Sequence, residues 1–229
     1  AQALEIDAHT LLSGAGTVPV HTIEGIWREK RWHELTPTMR TAALEATDLL
    51  ARTGDPQLSD LVLDRAMAAQ MLTEAQKAES DYLIEYVRLF IDSANLRVVV
   101  RAARAQKGFD YLRKAVLPGG NVTADRLVSD LSGEDITTLF AGRDLAAASQ
   151  AAAWAMEGEV TLAALDMACD NALINYIRTA RLIAFGEASV IAYLVAREAE
   201  LVSVRTIMVG RRAGLSEEQI MERLRMSYV

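Results

Sequence analysis

The stretch "REAELVSVRTIMVGRRAGLSEEQI", residues 197–220, decides how this chain is read. An otherwise apolar helical pattern carries Glu198, Glu200 and Arg205, then breaks at a glycine turn. A second helix follows, opened by Ser216 and Gln219, the spacing at which serine and glutamine side chains each satisfy a free backbone donor. An earlier stretch, "RLFIDSANLRVVVRAARAQKGF" at residues 88–109, has the same build, with Asp92 followed five positions later by Arg97. Charge inside an apolar helix has three readings: a DNA-reading helix-turn-helix, a catalytic cluster, or a scaffold network.

Composition narrows the choice. The chain has 229 residues, 51% hydrophobic and only 6% aromatic, with four prolines. Ala, Leu, Met, Arg and Glu lose little freedom in a helix, so this profile favours helices over strands. Lys+Arg number 24 against 31 Asp+Glu, a net charge of −7, which disfavours non-specific binding to nucleic acid or to anionic lipid. Cys169 is the only cysteine, so no internal disulfide is possible and a cytoplasmic location is expected. The opening "AQALEIDAHT" lacks the basic and apolar regions of a signal peptide. The apolar run "LIAFGEASVIAYLVA" is broken by Gly186, Glu187 and Ser189 and is too short to span a bilayer, so the chain is expected not to be membrane-spanning.

Punctuation then divides the chain into helices. Thr36 is placed to cap a helix whose first position is Pro37, and "TGDP" ends it at Gly54, with Pro56 beyond. "QLSDLVLDRAMAAQMLTEAQK" and "DYLIEYVRLFIDSANLRVVVRAARA" read as two longer helices. "LPGG" at residues 117–120 is the strongest break. Beyond it come "NVTADRLVSDL", the Ala-rich "RDLAAASQAAAWAM", a stop at Gly158, and two long patterns, "LAALDMACDNALINYIRTARLIA" and "SVIAYLVAREAELVSVRTIMVGRRA". No strand hairpin is evident. The expected fold class is all-α.

The two halves repeat one order: a glycine-containing connector, a short helix, an Ala-rich helix, a small break, a long helix with an LD or CD step, then an acid-to-arginine helix. Asp64 and Asp170 correspond at a spacing of 106 residues, and the pairs Asp92–Glu200 and Arg97–Arg205 at a spacing of 108. That period is far longer than a solenoid unit and describes two similar helical domains in tandem, residues 1–117 and 118–229.

The scaffold reading accounts for the charges best. A recognition helix starting with Glu217 and Glu218 would repel phosphate. His9, His21 and His33 lack the spacing of a helical metal site, and no P-loop, GxGxxG or GxSxG motif is present, so no cofactor, metal or small-molecule substrate is expected. Cys169 reads as a small core filler. The acids Asp64, Asp92, Asp170, Glu198 and Glu200 with Arg97 and Arg205 are expected to fix helix crossings, since an unpaired buried charge is costly. Arg97, Arg101 and Arg104 share one helical face and, with Arg211 and Arg212, are candidates for contact with an acidic partner.

Five segments together resemble a known family: "GTVPVHTIEGI" from Gly16, "TGDPQLSDLVLDRAM" from Thr53, "YVRLFIDSANLRVVVRAARAQKGFDYL" from Tyr86, "VLPGGNV" from Val116, and "VIAYLVAREAELVSVRTIMVGRRAGLSEEQIMERLRMSYV" from Val190. They are similar, in the same order, to the C subunits of the V-type (A/V-type) ATP synthases, whose eukaryotic relative is the V-ATPase d subunit. The resemblance implies a funnel-like protein of three similar domains about a pseudo-threefold axis, of which this chain carries the second and third. It also implies a non-catalytic part of the central stalk of a proton- or sodium-translocating rotary ATPase. There it would couple the membrane proteolipid (c/K) ring to the D and F shaft proteins, peripheral on the inner face of the membrane, with no nucleic acid partner. A helical adaptor of another complex is the alternative.

Overall fold

The computed structural model describes residues 18–129 and 133–228. His9, most of the first glycine connector and part of "LSGED" lie outside them. The protein is all-α, with no strand among the described residues. In chain order the α-helices are α1 Val20–Glu29, α2 Pro37–Thr53, α3 Pro56–Lys77, α4 Asp81–Arg104, α5 Phe109–Ala115, α6 Ala124–Ser129, α7 Gly133–Leu139, α8 Ala146–Glu157, α9 Leu162–Arg178, α10 Ala188–Arg212 and α11 Glu217–Met221.

Their ends follow local chemistry. The Thr36 hydroxyl accepts from the Met39 amide, Pro37 follows at the first turn, and Gly54 closes α2 at φ 66°. Ser80 and Thr161 cap α4 and α9 in the same way, and Gly158 ends α8 at φ 87°. At the start of α11 both halves of the Ser216–Gln219 capping box form.

Two compact units divide between Ala66 and Met67. In the first, Ile26, Ala42, Ala43 and Ala46 are buried, and the Ser59 hydroxyl donates to the Ala46 carbonyl at 2.8 Å. The Arg40 guanidinium there satisfies the carbonyls of Trp32, His33 and Leu35. The second unit holds the main core. Leu89, Leu96, Val99 and Val100 of α4 meet Ala148, Ala152 and Ala155 of α8 and Leu165, Cys169 and Leu173 of α9. Small alanines on α8 let the helix axes approach closely, and the large residues of α4 fill the space between. Leu112, Leu127, Ile136 and Phe140 extend this core through α5, α6 and the end of α7. The repeat reading placed its join between Leu117 and Pro118; that point lies within the second unit, whose core runs continuously across it.

Candidate functional site

Two of the buried polar residues of α4, Asn95 and Asp92, hold the "LPGGNV" loop. Asn95 bridges Leu117, donating to its carbonyl at 2.8 Å and accepting from its amide at 2.7 Å. Three residues earlier, on the adjoining face, the Asp92 carboxylate accepts from the amides of Asn121 at 2.8 Å and Val122 at 3.2 Å. Asp92 is only 2% exposed, and burial pushes its carboxyl up to about 6 against the downward pull of those two amides. Gly120 is required here, because a Cβ on it would lie 2.0 Å from Asp92 Oδ1.

One turn on, Arg97 faces α9. Its Nε lies 3.1 Å from Asp166 Oδ1, a terminal nitrogen donates to the Asp166 carbonyl at 3.1 Å, and another donates to Ser93 Oγ at 3.1 Å. The same guanidinium also pairs with Asp170. Arg101 reaches both oxygens of Asp166 at 2.9 Å. The second oxygen of Asp170 accepts from Arg225 Nε at 2.8 Å. Three guanidiniums thus share two carboxylates at one helix crossing. Beneath them Cys169 is fully buried, and burial pushes its thiol up to about 11, which leaves it a core filler rather than a nucleophile.

Residues 226–228 are tied to the same place. Met226 donates its amide to Asn171 Oδ1 at 2.8 Å, while Arg178 and Arg181 donate to the carbonyls of Ser227 and Tyr228. Arg181 also stands over the Tyr228 ring, 4.5 Å from its centroid. Next to it Tyr82 and Tyr176 stack at 5.0 Å, each hydroxyl donating to a carbonyl on the other helix segment.

α10 contrasts with all of this. Only Ala188, Ala192 and Gly210 are buried along its 25 residues. Val190, Leu194, Leu201, Val204 and Met208, spaced by four, seven, three and four residues with Arg197 at the intervening turn, share one side of the helix and are 48–67% exposed. Such spacing forms an apolar stripe interrupted by Arg197, close to the pattern by which two long helices pack side by side. Arg211 and Arg212 stand exposed at its end. Gly210 admits Ile220 of α11, since a Cβ there would meet it at 2.8 Å. Arg205 and Arg223 flank the adjoining cleft, about 290 Å³ and lined otherwise by apolar and small residues such as Val209, Leu215 and Ile220.

The residues singled out from sequence therefore part company. Asp170, Arg97 and Arg101 meet in one network. Asp92 turns to the loop amides instead of to Arg97. Glu200 pairs with Arg197 on the surface of its own helix, while Glu198, Arg205, Arg104, Arg211 and Arg212 are exposed. Asp64 is exposed on α3. Sequence reasoning did not single out Asp166, Asn95 or Arg225. Asp166 had a signal, since "DLVLDRAM" from Asp60 and "DMACDNAL" from Asp166 share paired aspartates at one spacing. Arg225, in an irregular segment, had none. The helix after the glycine turn is five residues long, shorter than the groove-binding helix weighed above, because the chain leaves helix after Met221.

Among the described residues no group of His, Cys, Asp and Glu could hold a metal ion, and no helix is long and apolar enough to cross a membrane. Comparison with known proteins gives a consistent picture. The family model described as "ATP synthase (C/AC39) subunit" matches residues 2–223. The C subunit of the V-type sodium ATPase of Enterococcus hirae is 25% identical over 171 residues, covering 74% of this chain and 52% of that protein. The C subunit of the A-type ATP synthase of Halobacterium salinarum is 26% identical over 160 residues, covering 69% and 46%. The chain thus spans about half the length of these relatives. No solved structure matches it significantly.

Proposed function

The chain belongs to the ATP synthase (C/AC39) subunit family, and on that premise we propose that it is a non-catalytic coupling piece of a rotary ATPase. In this reading it joins the proteolipid ring to the central shaft of the D and F proteins, on the inner face of the membrane. The family match over residues 2–223 carries the proposal. The architecture supports it physically. Torque passes only through a stiff body, and the close-packed α4–α8–α9 core with its charged crossing is suited to that.

The element order supports a duplicated design. A short helix, an Ala-rich helix ending in a left-handed glycine, a long helix and a longest helix occur twice, as α1 to α4 and as α6, α8, α9 and α10. For contact with a partner, the available cations are Arg104, Arg211 and Arg212, because Arg97 and Arg101 are engaged by Asp166 and Asp170. Exposed charges of this kind set association rate and orientation more than affinity.

A pull-down tests the reading. The chain is expected to retain a co-expressed D–F pair and the detergent-solubilised ring, and Arg211→Glu with Arg212→Glu to weaken capture without loss of helix content. Retention of neither, by folded protein, would leave a helical adaptor.

A further inference from the structure

Residues 224–228 follow α11 without regular structure, and none of them is fully buried. They engage one side of α9 in order along the chain. Arg225 reaches Asp170 at 2.8 Å and the Met226 amide reaches Asn171 Oδ1 at 2.8 Å, while the carbonyls of Ser227 and Tyr228 accept from Arg178 and Arg181. The segment therefore runs alongside α9 in the same direction, as far as the 3-10 turn Thr179–Leu182. Tyr228 packs against the cluster of Ile174, Ile177, Ala188 and Ala192, with Arg181 over its ring. This contact differs from a core. Its grip is largely on the main chain, Met226 is 40% exposed, and a cleft of about 430 Å³ remains between the segment and Tyr193, Ala196, Ala199 and Ser203 of α10. The walls have their own support. Ile174, Ile177, Ala188 and Ala192 join α9 to α10, and the hydroxyls of Tyr82 and Tyr176 tie α4 to α9.

We propose that this side of α9 is a peptide-binding groove for an Arg-x-x-aromatic segment, that its resident ligand is the chain's own residues 225–228, and that it opens by their release. Recognition has three parts. Asp170 selects the arginine with the oxygen that Arg97 leaves free. Asn171, Arg178 and Arg181 read main-chain groups, so the two middle positions admit many side chains. The apolar shelf, with a guanidinium above it, selects the aromatic ring. Release breaks one ion pair and a few solvent-facing hydrogen bonds, and it draws no fully buried residue out of the core. Opening is therefore a local event, and it leaves the same donors and acceptors in place for a matching segment. The groove lies wholly within the second unit, and the inference does not depend on the rotary reading.

Fluorescence anisotropy with a labelled peptide of residues 222–228, ERLRMSY, tests it on the 229-residue chain. In the wild type the tethered segment competes at an effective concentration on the order of millimolar, so the peptide should bind weakly. Arg225→Glu with Tyr228→Ala in the full chain vacates the groove, and the same peptide should then bind at least about tenfold more tightly. Peptides carrying Arg225→Glu or Tyr228→Ala should lose that gain, and these controls leave the protein untouched. Arg181→Ala in the vacated chain should lose it too, with unchanged helical circular dichroism as the check on folding. Hydrogen exchange on the wild type needs no variant. The Met226 amide should exchange about a hundredfold or more faster than the amides of Val99 and Val100 in the core of α4. Exchange at Met226 no faster than at those two overturns the proposal. So does a vacated chain that binds the peptide no better than the wild type, or that binds the charge-reversed peptide equally well.

Discussion

α4 and α10 are nearly the same length, occupy the same place in the repeat and carry corresponding apolar residues, yet one is enclosed and the other is open. α4 buries ten residues and α10 three. The difference does not lie in hydrophobic pattern, because Val99 and Ile207, Leu96 and Val204, and Val100 and Met208 are matched in kind. It lies in what each helix meets. The hairpin of α8 and α9 offers alanines and paired aspartates to α4, and the described residues place nothing equivalent on the corresponding face of α10. A helix sequence thus specifies which face wants burial, while the partner decides whether burial occurs.

Matched substitutions would break that comparison, and the largest contrast is apolar. Leu96→Ala should cost about 2–5 kcal/mol by leaving a cavity in a fully buried site. Val204→Ala at the corresponding position of the dilute protein should change stability by no more than about 0.5 kcal/mol. Equal losses in urea titrations of the two would show that α10 is covered after all.

Next in size is the buried acid. Burial raises Asp92 from 3.8 to about 6, so the protonated carboxyl suits the folded state better. Its contribution is full below the unfolded value and is lost as pH rises through about 6, which removes roughly 3 kcal/mol between about pH 4 and pH 7. Asp92→Asn should flatten the pH dependence of stability in that window. Denaturant midpoints of the wild type and the variant, read at several pH values, would show it.

The smallest contrast is between the arginines. Arg97→Ala strips two partly buried aspartates of their shared cation and should cost about 2 kcal/mol, the figure for a buried pair reduced for partial exposure. Arg205→Ala in dilute protein should fall within about 0.5 kcal/mol. A large effect of Arg205→Ala on monomer stability would mean that it has an intramolecular acid after all.

What was legible in the sequence follows the same division. Helix ends were written locally: Thr36 with Pro37, the glycines at 54 and 158, and the Ser216–Gln219 box each act within a few residues. The all-α class followed from these and from period. Partners across the fold were less visible. Asp92 resembled half of an ion pair, but its ligands are amides 29 and 30 positions away, and a backbone amide leaves no mark in sequence. Arg97 was legible as a cation needing an acid, and its acids became readable only through the repeated aspartate pair. The helices α5 and α7, seven residues each, were passed over because so few residues cannot display a period.

The shared Asp170 carboxylate has a consequence in time. Arg97 lies 73 residues before it and Arg225 lies 55 after it. During synthesis Asp170 can therefore meet Arg97 well before Arg225 exists, and its second oxygen waits for that later segment. A chain stalled or clipped ahead of residue 225 would carry the α4–α9 crossing with one of its three guanidiniums missing. The crossing is thereby completed in two stages, in the order in which the ribosome delivers its cations.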